Sequence, residues 1–136
     1  KIALGHHFDD VIETILLNVL YSGNYKTMMP KLKSKNFSGM ELIRPLYYVK
    51  EDDIISWKKY NNLTFLDCAC NITKKDLGKR LEVKNLIKEL RKTYDNIDIN
   101  ILNSSRNVNI DAVLGYKENG KEYSFLDTYE KTFDED

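Results

Sequence analysis

The stretch IALGHHFDDVIETILLNVLYS, residues 2–22, constrains this chain more tightly than any other. A short apolar run, Ile2 to Leu4, meets Gly5 and then two histidines and two aspartates. Val11, Ile12, Ile15, Leu16, Val19 and Leu20 then recur at helical spacing and predict an amphipathic helix from Asp10 onward. Ile2 to Leu4 reads as the end of a buried strand, with Gly5 permitting a tight exit. Strand, turn and helix in that order are the grammar of a parallel α/β sheet. Ligands of such sheets lie outside the carboxyl ends of the strands, which is where GHHFDD falls. Spacing leaves two readings open. In one, His6, His7, Asp9 and Asp10 line a site where helix N–H groups receive phosphate and carboxylates hold Mg²⁺. In the other they form a polar turn, in which Asp10 and Glu13 make a capping box. Zinc is a poor fit, because neighbouring histidines on an extended segment point apart.

Further along, SGN at 22–24 ends the helix, and the lysine-rich stretch containing Pro30 reads as a loop. Glu41 to Arg44 reads as a short strand ended by Pro45. KEDDIISWKKYNN predicts a second amphipathic helix that buries Ile54, Ile55, Trp57 and Tyr60, with Asn61 and Asn62 at its C-terminal end. A third helix, about Leu77 to Tyr94, is expected to bury Leu77, Leu81, Ile87, Leu90 and Tyr94, followed by a short amphipathic segment over 97–102. VLGYKENGKEYSF has the pattern of a hairpin turning at Asn119-Gly120. Two strands do not make a sheet, because lone buried strands cannot satisfy their edges. The expectation is therefore the second half of a larger domain, and the lack of an initiating Met points the same way. The predicted division is residues 1–72, the C-terminal half of the sheet domain, and 73–136, a helical extension with a hairpin and an acidic tail.

Composition narrows the function class. The 136 residues are 42% hydrophobic and 31% charged, the profile of a soluble globular protein. No apolar run approaches the roughly 18 residues of a membrane span, so no membrane partner is expected. Net charge is zero, so bulk charge makes no case for nucleic acid. That zero conceals segregation: Lys26, Lys31, Lys33 and Lys35 lie together without an acid, and Lys74 to Lys92 carries eight basic residues against three acids. Such clusters fit either a basic face or ordinary solvated helix surfaces. Cys68 and Cys70 are too near for an unstrained disulfide, which points to a reducing, cytoplasmic setting. Both thiols on one side of an extended segment would suit a soft metal. Two are too few for an iron–sulfur cluster, which takes three or four thiolates, and a pair of small buried hydrophobes is the alternative.

IALGHHFDDVIETILLNVLYSGNYKTMMPKL, followed by IRPLYYVKEDDI and then cysteine, resembles the PP-loop ATP pyrophosphatases that thiolate tRNA. The nearest likeness is to the tRNA 2-thiocytidine synthetase group. It runs almost continuously from Lys1 to about Asn71 and more weakly to Tyr94. The G-H-H-x-D-D-x-x-E-T string alone is shared with tRNA-lysidine synthetases. Y-x-G-x-x-K-T-M-x-P-K-L, I-R-P-L and a downstream cysteine make the likeness specific. The fold this implies is α/β, the C-terminal part of a doubly wound parallel-sheet domain of the adenine nucleotide α-hydrolase-like kind, followed by a helical region.

The resemblance implies adenylation of a tRNA base carbonyl by ATP, release of pyrophosphate, and replacement of the oxygen by sulfur from a donor. It implies ATP, Mg²⁺ and an iron–sulfur cluster in the intact enzyme, with a homodimer left open. Asp9 and Asp10 match the family's acidic pair and are the expected catalytic residues, Asp9 foremost. His6, His7 and Arg44 are the expected nucleotide-binding residues, and Glu13 is secondary. Arg44 also has a structural turn as its alternative. Lys26, Lys31 and Lys33 fall where a substrate-side loop would meet tRNA phosphates. Cys68 aligns with a cluster ligand or sulfur-handling cysteine. Cys70 ranks below it, because C-x-C departs from the family's C-x-x-C or single Cys. The family's S-G-G-K-D-S phosphate loop and upstream C-x-x-C are not among these residues, so this stretch alone is expected not to turn over ATP. Two other functions stay open: a lysidine synthetase-like ligase, in which Cys68 has no task, and a non-catalytic RNA-binding fragment.

Overall fold

The computed structural model describes residues 1–65 and 74–129. Packing divides the chain into two compact units, Lys1–Ser105 and Arg106–Asp136. In the first, β1 (Ile2–Ala3) leads into α1 (Phe8–Ser22), then β2 (Lys31–Lys33), β3 (Glu41–Ile43), α2 (Glu51–Tyr60), α3 (Lys74–Arg91) and α4 (Ile97–Ser104).

The sheet order is β1-β3-β2. β1 pairs parallel with β3, Ile2 opposite Leu42 and Ala3 opposite Ile43, and α1 is the crossover between them. The expected parallel pair is therefore present. The lysine-rich stretch, expected as a loop, instead supplies β2, which runs antiparallel to β3 with Lys31 opposite Ile43 and Lys33 opposite Glu41. Pro30 does not prevent this. It stands just before the strand, where no ladder N–H is needed, and its carbonyl accepts the Arg44 N–H at 2.9 Å.

α1 forms where its apolar period predicts, but its start is displaced. The N-cap is His7, and the acid of the cap is Asp10, whose Oδ2 accepts the His7 N–H at 3.0 Å. The box expected between Asp10 and Glu13 thus lies one turn earlier, and Glu13 is free to turn inward. Gly23 ends the helix in the left-handed conformation at φ 56°.

The core is a helical layer. Phe8, Val11, Ile12 and Ile15 of α1 bury against Val83 and Ile87 of α3, Ile101 and Leu102 of α4, and Tyr47. This places α3 and α4 in the same compact unit as the corner, whereas the sequence reading set a boundary near residue 72. The apolar stripe of α3 also differs from expectation. Val83 and Ile87 are buried and Leu90 half-buried, while Leu81 and Tyr94 are exposed; the Leu77 side chain lies outside the described residues. α2 departs further. Ile54 is half-buried, but Ile55, Trp57 (56% exposed) and Tyr60 (87% exposed) face outward. The helix is held by polar contacts at its first turn rather than by an apolar face. Asn62, with φ 51°, closes its C-terminal end in the left-handed region suited to Asn.

The second unit is a hairpin with short helical flanks. β4 (Gly115–Glu118) pairs antiparallel with β5 (Lys121–Ser124) across Asn119 and Gly120, both at positive φ, as a two-residue type I′ turn requires. Tyr116 stacks on Tyr123 with ring centroids 4.8 Å apart, which makes these aromatics cross-strand packing. Short turns of helix at Ile110–Ala112 and α5 (Leu126–Tyr129) flank the pair.

The core assignment is checked by truncation. Ile12→Ala is expected to destabilise the protein by about 2–5 kcal/mol, and Tyr60→Ala, from an exposed position, by less than about 0.5 kcal/mol. Urea denaturation measures both, and comparable losses would contradict the exposure of α2.

Candidate functional site

The exit from β1 is pinned on both sides. Leu4 N–H donates to the Ile43 carbonyl and Phe8 N–H to the Val49 carbonyl, both at 2.9 Å. The loop between β1 and α1 is thereby held beside β3 and the entrance of α2.

Asp9 is the centre of the corner. It stands in the first turn of α1, yet only 6% of it is exposed. Its Oδ2 accepts the Glu51 N–H at the start of α2 at 2.7 Å, and its Oδ1 accepts Arg91 Nη2 of α3 at 2.6 Å. His7 Nδ1 is 3.9 Å from the same Oδ2. One carboxylate therefore caps α2 and ties it to α1 and α3. Burial acts to raise its pKa, but the Glu51 N–H, the Arg91 guanidinium and His7 together outweigh that and hold it below its ordinary value. Arg91 is shared: its Nε donates to Asp98 Oδ1 of α4 at 2.7 Å, and Lys50 Nζ stands 3.3 Å from Asp98 Oδ2. Burial acts to lower the Arg91 pKa, yet its bonds to Asp98 and Asp9 leave it raised.

One turn on, Glu13 is 5% exposed and lies 3.6 Å from Arg80 Nε. Burial raises its carboxyl above the ordinary value, with Lys84 and Arg80 acting against the rise. Lys84 Nζ donates to both Glu51 oxygens, at 2.9 and 2.7 Å. His7, Asp10, Glu13, Glu51, Arg80, Leu81 and Lys84 line an open cavity of about 250 Å³. Its walls carry three carboxylates, two permanent cations and an imidazole. Such a lining can orient a polar ligand and relay protons along its edge.

The structure separates the expected site residues into groups. His7 and Asp10 face the cavity, and Asp9 lies behind them with both oxygens committed. His6 and Arg44 form a second pair, with Arg44 Nε 3.3 Å from His6 Nδ1, and the Arg44 Nη1 donates to the Met29 carbonyl. Lys26 is exposed between α1 and β2, and Lys31 and Lys33 are exposed on β2, two apart and so on one face. Cys68 and Cys70 lie outside the described residues. Among the described residues no three His, Cys, Asp or Glu side chains are grouped to hold a metal ion. No helix of the described residues is long and apolar enough to cross a membrane.

Sequence reasoning missed Arg80, Lys84 and Arg91. Their spacing with Ile87 (80, 84, 87, 91) does follow one helical stripe, matched on α1 by Asp9 and Glu13 four apart. Within a run of eight basic residues, that stripe was the signal.

A parallel β-α-β corner with an acid-rich helix start at the strand's carboxyl end puts the chain in the class of open α/β domains, whose ligands lie at that end of the sheet. Residues 1–90 match the PP-loop domain family, and the chain belongs to that family, whose fold is of the adenine nucleotide α-hydrolase-like kind. Over 108 residues, 79% of this chain, it is 37% identical to the tRNA-cytidine(32) 2-sulfurtransferase of Geobacter metallireducens and 42% identical to that of Coxiella burnetii, covering 42% and 41% of their lengths. It is 41% identical to the Burkholderia multivorans protein of the same name, covering 32% of it. The chain thus spans about two fifths or less of the curated relatives it matches.

Asp9→Ala removes a cap and a charge-assisted bond together, and is expected to destabilise the protein by about 2–3 kcal/mol at pH 7. The Asp9 pKa is depressed on folding, so its contribution is in place above the unfolded value and is lost as pH falls through the folded one. Urea midpoints should therefore show the deficit at pH 7 shrinking near about pH 3. Glu13 has the opposite sign: its raised pKa means that ionised Glu13 opposes folding at neutral pH. Glu13→Gln is expected to match or exceed the wild-type midpoint at pH 7 and to lose any advantage near about pH 4. A Glu13→Gln midpoint well below wild type at pH 7 would show the ionised carboxylate to be stabilising instead.

Proposed function

We propose that this chain is part of an ATP-dependent tRNA sulfurtransferase that converts a cytidine of tRNA to 2-thiocytidine. The observation that carries the reading is the shared name of relatives 37–42% identical over 79% of the chain. The corner at the carboxyl end of the parallel pair supports it. In the reaction, the cytidine C2 carbonyl oxygen attacks the α-phosphorus of ATP and pyrophosphate leaves. The C2–O bond is then a good leaving bond. Sulfide attacks C2, a C–S bond forms as the C2–O bond breaks, AMP departs with the oxygen, and the sulfur gives up its proton to leave 2-thiocytidine.

In this reading Asp10 and His7, which face the cavity, act nearest the reacting groups. Asp9 is recast from the foremost catalytic acid to a positioning residue that fixes α1, α2 and α3 around them. Asp10 would share Mg²⁺ with the phosphates of ATP, the arrangement usual for this ion, which would offset phosphate charge when bound. Lys26, Lys31 and Lys33 meet tRNA phosphates, positioning the RNA without reading its sequence. Cys68, with Cys70 in a lesser role, contributes to an iron–sulfur cluster. The chain's two cysteines fall short of the three or four thiolates such a cluster takes, so its other ligands are not among these residues. A cytoplasmic setting fits this reading.

The test uses the protein expressed from its complete coding sequence, incubated with tRNA, ATP, Mg²⁺ and sulfide. Mass spectrometry of digested tRNA should show 2-thiocytidine, with AMP and pyrophosphate released, and Asp10→Asn should slow formation by about a hundredfold. Unmodified tRNA would overturn the reading, and lysine attached to cytidine would replace it with ligation. The same protein purified without oxygen should absorb visible light, and Cys68→Ser should bleach it. An unchanged spectrum would remove Cys68 from the ligand set.

A further inference from the structure

Arg44 donates three hydrogen bonds, and together they assign it a role other than direct phosphate binding. Its Nε donates to His6 Nδ1 at 3.3 Å, its Nη1 donates to the Met29 carbonyl, and its backbone N–H donates to the Pro30 carbonyl at 2.9 Å. Two further bonds hold the same segment: Tyr47 Oη donates to the Met28 carbonyl at 2.9 Å, and Asn18 Nδ2 to the Lys26 carbonyl at 3.4 Å. The segment 26–30 therefore hangs from Arg44 and its neighbours, and the guanidinium is spread between that segment and His6.

A guanidinium can only donate. The His6 nitrogen that faces Arg44 must then be the lone-pair nitrogen, and a neutral imidazole with an unprotonated Nδ1 carries its proton on Nε2. His6 follows β1 directly, at the carboxyl end of the parallel pair, and is half-buried. Its Nε2 has no partner among the described residues. We propose that Arg44 is a positioning residue that locks His6 as an Nε2–H donor aimed at an anionic oxygen of the bound nucleotide. This rests on the nucleotide-dependent reading above. In this form His6 offers a hydrogen bond and not a base at Nε2. Arg44 simultaneously fixes the start of the lysine-bearing segment, so the same side chain serves both edges of the site.

The test has two arms on the intact protein. Long-range proton–nitrogen correlation of ¹⁵N-histidine protein, with His6 assigned by its absence in His6→Gln, reads the tautomer at neutral pH. The expected result is an unprotonated Nδ1 and a protonated Nε2; a His6 protonated at Nδ1 overturns the proposal whether or not any variant folds. The second arm measures ATP binding by calorimetry for Arg44→Met, His6→Ala and the double variant. Each single change should weaken binding by about tenfold, and Arg44→Met should add no further loss when His6 is already Ala. Full additivity would show that Arg44 acts without His6 and would overturn the proposal. An absence of ATP binding in the wild type would instead refute the nucleotide-dependent reading, and the tautomer would still decide the Arg44–His6 pair.

Discussion

The buried carboxylate of Asp9 is the interaction on which the arrangement depends. It accepts a backbone N–H from α2 with one oxygen and a guanidinium from α3 with the other. An ionised carboxylate at 6% exposure is tolerable only because both oxygens are satisfied. Arg91 extends the tie to α4 through Asp98, itself 6% exposed and also met by Lys50. Four helices are thus indexed to one another by two acids and one arginine. The apolar core of α1, α3 and α4 supplies bulk attraction without direction, and the charged tie fixes the orientation of each helix start.

This explains why α2 can be so exposed. Its first turn receives Asp9, and Glu51 receives Lys84, so its N-terminal end is fixed by directional bonds. The rest of the helix projects Trp57 and Tyr60 outward. The same logic separates the two aspartates that stand side by side in the sequence. Asp10 serves the helix cap and faces the cavity, whereas Asp9 turns inward, because successive residues of a helix differ by about 100°.

Much of the fold was legible in the sequence because its signals are local. The apolar period of α1, the strand at Glu41, and the Asn119-Gly120 turn each require only a few neighbouring residues to identify. Apart from the start of α1, which was misplaced by one turn, and the buried side of α2, the misreadings depend on distant partners. The partner of the Asp9 carboxylate, Arg91, lies outside any short window around the aspartates. β2 becomes a strand because β3 offers it an edge, which overrides the loop-like lysines and proline. Ile55, Trp57 and Tyr60 are expected on one buried side, yet at about 100° per residue Ile55 falls nearly opposite Trp57, and all three are exposed. Family likeness drew attention to the corner, which the structure places at the carboxyl end of the parallel pair. The difference between Asp9, held by α2 and α3, and Asp10, facing the cavity, is visible only in the geometry.

The separation of 82 positions between Asp9 and Arg91 has a consequence during synthesis. A ribosome adding about 5–20 residues per second needs roughly 4–16 seconds to pass from one to the other. Throughout that interval α1 exists without its guanidinium partner, and Asp9 keeps its charge in water. The corner therefore closes late and as a unit, when α3 arrives to bring both Val83 and Arg91. A nascent chain stalled before α3 would carry GHHFDD intact yet present no organised site.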